Sequence, residues 1–138
     1  MKLDSLYSKS EKMRKVNSQF VKIVKYKAGR DKKGFAYAAA QTYTPYQLNP
    51  HRKVIPAHDK NKYVSKITFI DKKLNVKVSC SCPDYVFGGW EWSNAQHGAS
   101  DIIFGNGEPP DEKNPSHHPG LCKHLIHLRE YVKKKHGI

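Results

Sequence analysis

Four residues of this chain have types and spacings that suit the binding of a metal ion. The stretch "VSCSC" places Cys80 and Cys82 one residue apart, and "GLCKHL" places Cys122 two residues before His124. Thiolate sulfur and imidazole nitrogen are preferred ligands of Zn²⁺, and a Cys₃His set fills a closed tetrahedral site. The chain has three cysteines, and an odd number argues against a disulfide framework and leaves metal binding or a reactive thiol.

The first pair of thiols lies at the end of a predicted strand. In "LNVKVSCSC" every second residue is apolar or cysteine, which is the period of a half-buried strand; these positions are Leu74, Val76, Val78, Cys80 and Cys82. Both thiols should therefore leave the strand on its buried face and bind one ion from the same side.

The second pair requires a helix that begins between its two members. Inside a regular helix, residues two positions apart point about 200° away from each other, so they cannot share an ion. Pro119 and Gly120 predict a turn before Cys122, which would place this cysteine at the helix cap and His124 in the first turn. A C-terminal helix is predicted by apolar residues at helical spacing, namely Leu121, Leu125, Leu128 and Val132.

The remaining patterns predict an α+β fold of two antiparallel β-hairpins packed with the C-terminal helix and with a second helix after the C-x-C strand. One hairpin is expected over residues 62–82 and the other in "SQFVKIVKYKAG" and "GFAYAAAQTYT", although "YAAAQ" also suits a helix. An irregular connection is expected between the hairpins, and a helix is expected from Pro83 towards His97. The Cys₃His zinc site would join these elements.

Composition divides the chain into three regions. Residues 1–17 read as a charged N-terminal arm with few core residues, residues 18–61 as a basic hairpin region with its connection, and residues 62–138 as the zinc-binding region. The last region contains a long acidic insertion, residues 83–121. No run of about 18 apolar residues is present and the start lacks a signal-peptide pattern, so neither a membrane span nor export is predicted.

The charge is unevenly distributed along the chain. The net charge is +13, but residues 1–79 carry nineteen Lys and Arg against five Asp and Glu, whereas the insertion carries one lysine against six acids. A basic body of this kind suits a nucleic-acid backbone, and it also suits a solvated surface or an acidic protein partner. The candidate phosphate-binding residues are Lys22, Lys25, Lys27, Lys32, Lys33, Lys72, Lys73 and Lys77.

The order of strand, C-x-C, helix and C-x-H at the start of an apolar helix resembles the SWIM-type zinc finger over roughly residues 62–135. The resemblance implies one structural zinc ion bound by Cys80, Cys82, Cys122 and His124. The 39 residues between the two halves form a longer spacer than is usual in that family. The stretch "GASDIIFGNGEPPDEKNP" is also similar to small SWIM-like proteins encoded by tailed bacteriophages.

Two classes of function follow from these features. In the first, the chain is a non-enzymatic structural or adaptor module, a component of a phage particle that contacts other protein subunits and occurs in the host cytoplasm and the virion. In the second, it binds DNA or RNA backbones without sequence preference. A catalytic Cys-His pair would need an open pocket and an orienting third group, so no enzyme is predicted.

Two further interpretations depend on side chains that could take more than one role. His97, His117, His118 and His127 are spare histidines, and one of them could replace His124 as a ligand. The aromatic residues Tyr85, Trp90 and Trp92 suit a core beneath the finger better than an exposed platform for stacking bases.

Overall fold

Six strands form two antiparallel sheets in the computed structural model, which describes residues 1–110 and 112–137. The strands are β1 (Lys22–Arg30), β2 (Ala36–Tyr43), β3 (Tyr46–Leu48), β4 (Val54–Pro56), β5 (Tyr63–Phe69) and β6 (Val76–Cys80). The larger sheet has the order β1–β2–β5–β6, and β3 pairs with β4 in a separate hairpin. Asp111, one of the acids of the insertion, and Ile138, the last residue of the zinc-binding region, lie outside the described residues.

Five α-helices complete the α+β fold. They are α1 (Leu3–Lys9), α2 (Lys12–Asn17), α3 (Pro83–Phe87), α4 (Trp90–Gln96) and α5 (Lys123–His136), and a 3₁₀ turn, Ser18–Phe20, follows α2. The C-terminal helix packs against β2, β5 and β6. None of the helices in the described part of the chain is long and apolar enough to cross a membrane.

Both predicted hairpins are present, and they join edge to edge through the pairing of β2 with β5. The "YAAAQ" stretch is part of β2, and its Ala38 and Ala40 are buried on the side that faces α5. Small side chains at these positions allow a helix to pack closely on the sheet. Leu74 departs from the predicted alternation: it lies in the β5–β6 turn with a φ of 64° and is 41% exposed.

The connection between the hairpins is more regular than its prolines predict. Residues 46–56 fold back on themselves as the β3–β4 hairpin, with Tyr46 opposite Pro56. Pro56 is tolerated because it ends a short strand in a two-stranded sheet, where a missing N–H costs little.

One helix was expected after the C-x-C strand, and the structure has two. Gly88 and Gly89 separate α3 from α4, and Gly89 has a φ of 91°. A Cβ atom on Gly89 would lie 2.2 Å from the Cβ of Pro110, so the chain can turn here only at glycine. Tyr85 and Trp90 are buried, which confirms that these aromatic residues form part of the core.

The N-terminal arm, residues 1–17, contributes more to the core than its charged composition predicts. Residues 1–17 form α1 and α2, and Leu3 and Leu6 of α1 belong to the hydrophobic core. The hydroxyl of Ser10 is buried and accepts a hydrogen bond from the N–H of Leu121 at 2.8 Å. The few apolar residues of this segment are spaced for one helix face, so a small number of them is enough to anchor it.

Ion pairs from both α1 and α2 hold the same segment to the rest of the chain. Arg14 of α2 donates to the carboxylate of Asp84 through Nε at 2.7 Å and Nη2 at 2.5 Å, a bidentate arrangement. Asp4 of α1 accepts from Arg129 of α5 at 2.7 Å. Because these contacts are internal, the order of residues 1–17 needs no second protein to explain it.

The insertion is fastened to the fold by two buried asparagines. Asn94 donates to the carbonyl of Gly120 at 2.8 Å and accepts from the N–H of Gly120 at 2.9 Å. Asn114 donates to the hydroxyl of Ser93 at 3.1 Å and to the carbonyl of His118 at 2.9 Å. These bonds tie the end of the insertion to α4 and so fix the position of Cys122, two residues later.

Candidate metal centre

Cys80, Cys82, Cys122 and His124 come together at one buried point between the sheet and α5. Their ligand atoms all lie within 4.8 Å of one another, and all four residues are buried. Two sulfur ligands about 2.3 Å from a tetrahedral ion lie about 3.8 Å apart, so only a small contraction of this cluster would be needed. The four residues could therefore hold one metal ion.

The C-x-C pair is positioned by the junction of a strand and a helix. Cys80 is the last residue of β6, and Cys82 is the N-terminal cap of α3, which has Pro83 at its start. The N–H of Tyr85 donates to the sulfur of Cys82 at 3.4 Å. Both thiols lie on the inner side, as the alternation in the sequence predicts.

The C-x-H pair is positioned by the start of α5. Cys122 is the cap residue with an extended backbone, φ −78° and ψ 169°, and His124 is the second residue of the helix. The change from extended to helical backbone between them confirms the predicted helix start. It brings a thiol and an imidazole to the same side, which residues two positions apart within a regular helix could not reach.

The imidazole of His124 is oriented by a threonine that lies 80 residues away in the sequence. Nδ1 of His124 lies 4.0 Å from the sulfur of Cys80, whereas Nε2 lies 3.4 Å from the hydroxyl oxygen of Thr44. The ring also contacts Tyr63 edge-on, with 5.5 Å between ring centroids. Nδ1 would therefore face a bound ion, and with the ion on Nδ1 the other nitrogen, Nε2, would carry the ring proton and donate a hydrogen bond to the Thr44 hydroxyl.

Ser65 gives similar support to Cys80. The two residues are opposite each other in the pairing of β5 with β6, and the buried hydroxyl of Ser65 donates to the sulfur of Cys80 at 3.5 Å. A hydrogen bond of this kind stabilises a thiolate. Sequence reasoning missed both Ser65 and Thr44; the hairpin register could have indicated Ser65, but no local signal indicates Thr44.

The three thiols do not ionise equally in the protein alone. Burial opposes ionisation of Cys80, but hydrogen bonds from the other three ligands outweigh it and hold its pKa well below the usual range. Burial and the hydrogen bonds with the other two cysteines raise the pKa of Cys122 far above its usual range. A hydrogen bond with Cys122 lowers the pKa of Cys82. The hydrogen bond with Cys80, burial and the charge of Cys80 have a larger, opposite effect, so the pKa of Cys82 lies above its usual range.

Cys80 is therefore the thiol of the three that ionises most readily in the protein alone. A divalent ion stabilises all three thiolates at once, so its binding should release protons. Three thiols and one imidazole form a set of ligand groups that suits a divalent ion such as Zn²⁺.

The spare histidines lie outside this cluster. Nδ1 of His127 lies 3.0 Å from the carbonyl of Ser18, and His97 is exposed at the end of α4. His117 packs edge-on against Trp92, and the N–H of His118 donates to Asn114. The structure thus brings His124, and not one of these four, to the thiols.

The candidate phosphate-binding lysines separate into two groups. Six of them lie on or beside the side of the larger sheet that faces away from α5: Lys22, Lys25, Lys27, Lys32, Lys33 and Lys77. Lys72 and Lys73 lie in the β5–β6 turn, where Lys73 lines a cavity with Lys2 and Lys133 beside α1. Sequence reasoning missed Lys66, which the pairing of β5 places among the first group.

No protein-family model, no curated protein and no solved structure matches this chain. The resemblance to SWIM-type fingers stays a prediction based on the C-x-C and C-x-H motifs.

Replacing Thr44 by valine should weaken metal binding about 10- to 100-fold without unfolding the protein. Valine keeps the shape of threonine but leaves the buried Nε2–H of His124 without its acceptor. Competition between the protein and a chromophoric chelator for Zn²⁺ at neutral pH measures the effect. Thr68→Val is the matched control, because Thr68 lies on the side of β5 that faces away from the cluster. Equal zinc affinities of the two variants would show that Thr44 does not orient His124.

Proposed function

We propose that the protein is a non-enzymatic, zinc-stabilised adaptor module that binds another protein. The Cys₃His set supports zinc, because this ion favours four-coordinate sites rich in thiolate. Four protein ligands fill the tetrahedral shell and leave no position for a substrate or an activated water, which supports a structural role for the ion. The adaptor role rests on a different part of the molecule.

The observation that carries the adaptor role is a group of exposed apolar residues in the insertion, here called the apolar ridge. Its members are Phe87, Ile102, Ile103 and Phe104. Phe87 is 72% exposed and Ile103 is 56% exposed, although large apolar side chains are normally buried. Exposed apolar residues that cluster in one region are typical of protein–protein contact sites.

The ridge is held in place by a buried carboxylate. Glu91 of α4 is 2% exposed and accepts hydrogen bonds from the N–H groups of Phe104 at 3.1 Å and Gly105 at 2.8 Å. Burying a carboxylate is costly unless it is well bonded, so this arrangement specifies the position of the loop. A Cβ on Gly105 would lie 3.6 Å from Val86, which places the loop against α3, the helix that ends at Phe87.

The surroundings of the ridge indicate the chemistry of its partner. The insertion as a whole is acidic, and Glu108 lies near the ridge in the sequence, whereas Asp84 and Asp101 already pair with Arg14 and Lys77. A polar rim around an apolar centre is the usual composition of a protein interface. The partner should therefore present an apolar surface with basic residues at its edge.

The similarity of the insertion to small SWIM-like phage proteins is the reason to place this partner in a phage particle. On that proposal, the chain is made in the host cytoplasm and becomes a virion component. The apolar ridge is the structural feature that supports such a partner.

A photo-crosslinking amino acid at position 104 should join the protein to one defined partner in the organism that encodes the chain. The same amino acid at position 54, also exposed but on the β3–β4 hairpin, is the matched control. Adding Phe87→Ser and Ile103→Ser should reduce the crosslink at position 104 at least about tenfold, because the centre of an interface supplies most of its affinity.

Mass spectrometry of the crosslinked product identifies the partner. Equal crosslinking from positions 54 and 104 would contradict a specific site on the ridge. A product formed only between two copies of this chain would contradict the adaptor role.

A further inference from the structure

The outer face of the four-stranded sheet is left open by the helices. Residues opposite one another in the pairing share a face, and the inner face carries the buried side chains of Ala38, Ile67 and Val78. The pairing places the following residues on the other side, here called the outer face: Lys22, Lys25, Lys27, Tyr37, Ala39, Gln41, Tyr43, Val64, Lys66, Thr68, Lys77 and Ser79. Val64, near the start of β5, is 49% exposed, which shows that the face is open to solvent there.

The outer face is strongly basic. Five lysines stand on it, and Lys32 and Lys33 of the β1–β2 turn extend it at one end. The acids that line the same region are Asp31, which accepts from the N–H groups of its own turn, and Asp101, which pairs with Lys77 at 3.0 Å. An excess of lysines over acids on one flat surface is complementary to a chain of phosphates.

The lysines border a groove across the sheet. The groove has a volume of about 380 Å³, and its basic residues are Lys32, Lys33, Lys66 and Lys77. Phe35, Ile70 and Ile103 also line it, so the groove has both charged and apolar side chains. A ligand with both an anionic backbone and flat apolar groups would match this composition.

One aromatic ring lies at the middle of the basic residues. Atoms of the Tyr37 ring lie 3.7 Å from the position that a Cβ on Gly29 would occupy, so the ring extends over β1 at a glycine. The ammonium nitrogen of Lys66 lies 4.7 Å from the centroid of the same ring. Aromatic rings on open surfaces stack with unpaired bases, while neighbouring lysines neutralise the adjacent phosphates.

We propose that the outer face binds single-stranded nucleic acid, with the lysines on phosphates and Tyr37 stacked on a base. A face four strands wide, at about 4.8 Å a strand, is broader than the major groove of about 12 Å, and a duplex hides its base faces, so the single strand fits better. DNA and RNA share this chemistry. The proposal goes beyond the adaptor role. Ile103 belongs to both surfaces, but the lysines and Tyr37, which would contact the nucleic acid, lie outside the apolar ridge.

The test uses the full-length, zinc-loaded protein and fluorescence anisotropy with labelled dT20, rU20 and a 20-base-pair duplex. Lys27→Glu, Lys66→Glu and Lys77→Glu are combined in one variant. The matched control combines Lys9→Glu, Lys12→Glu and Lys134→Glu, which make the same change of net charge on α1, α2 and α5. Circular dichroism and zinc content verify that both variants are folded.

The outer-face variant should bind the single strands at least about tenfold more weakly than the unchanged protein at 50 mM NaCl. Its slope of log affinity against log salt should be smaller by about 2, since each phosphate on a single strand contributes about 0.7. The Tyr37→Ala variant should bind the single strands about fivefold or more weakly, whereas Tyr37→Phe should retain the affinity because it keeps the ring.

Three results would overturn the proposal. The first is absence of binding to both single strands at 50 mM NaCl. The second is an equal loss in the control variant, which would mean that total charge and not this face is responsible. The third is tighter binding to the duplex than to either single strand. A difference between dT20 and rU20 would identify which nucleic acid the face prefers and would support the site.

Discussion

Replacing Cys122 by serine is expected to abolish stoichiometric metal binding and to unfold the C-terminal half of the chain. Cys122 is fully buried, and it is the cap of α5, whose apolar side supplies Leu125 and Leu128 to the core. In zinc-finger peptides the free energy of zinc binding is about 10–16 kcal/mol at pH 7 and acts as folding free energy. A serine would remove a thiolate ligand and leave a buried hydroxyl in its place.

Elemental analysis and circular dichroism of protein purified without chelator measure this effect. One zinc ion per chain is expected in the unchanged protein, and addition of a strong chelator should reproduce the unfolding. Iron or no metal in that preparation would refute zinc, and a Cys122→Ser variant that remains folded with bound zinc would show that the ligand is misassigned.

His124→Ala and His127→Ala form a matched pair for the fourth ligand. Both histidines are on α5, but only His124 lies at the thiols, so only its replacement should release the ion. Loss of zinc from the His127 variant alone would reverse the assignment.

Replacing Leu6 by alanine is expected to lower the free energy of unfolding by about 2–5 kcal/mol. Leu6 has no exposed surface and lies in the core cluster with Leu121, so the smaller side chain leaves a cavity. Urea denaturation of the zinc-loaded protein measures the change. Leu74→Ala is the control, since Leu74 is 41% exposed and its truncation should cost much less.

Deletion of residues 1–17 should lower the free energy of unfolding by more than Leu6→Ala does. It would remove Leu3 and Leu6 from the core, and it would leave Arg129, 7% exposed, without its bond to Asp4. Arg129 would keep its pair with Glu130 but lose the one with Asp4, so a mostly buried charge would be left with fewer partners, which destabilises the protein. Unchanged stability of the truncated chain would mean that the arm is an independent appendage.

The four candidate ligands and the elements that carry them could be predicted because each depends on local geometry. Alternation with a period of two decides which side of a strand Cys80 and Cys82 occupy. The 3.6-residue turn requires that a helix begin between Cys122 and His124. These relations involve residues one or two positions apart, so the sequence contains all the information that they need.

The break between α3 and α4 was less predictable from the sequence, and so was the packing of residues 1–17. Each depends on competing effects. Gly88 and Gly89 weaken a helix, but whether they end it is decided by the contact of Gly89 with Pro110. The arm contains few apolar residues, and whether Leu3 and Leu6 are buried depends on the surface that the rest of the chain offers them.

By itself, then, the sequence determined the Cys₃His set, the two hairpins and the C-terminal helix, because strand and helix periods act over a few residues. Only the tertiary structure decided that Thr44 meets His124, that Glu91 fixes the loop of the apolar ridge, and that β2 pairs with β5. The last pairing joins the hairpins and brings Lys66 beside Lys27 and Tyr37 on one face. Such contacts depend on which buried surfaces fit one another across the whole chain, and no local pattern specifies that fit.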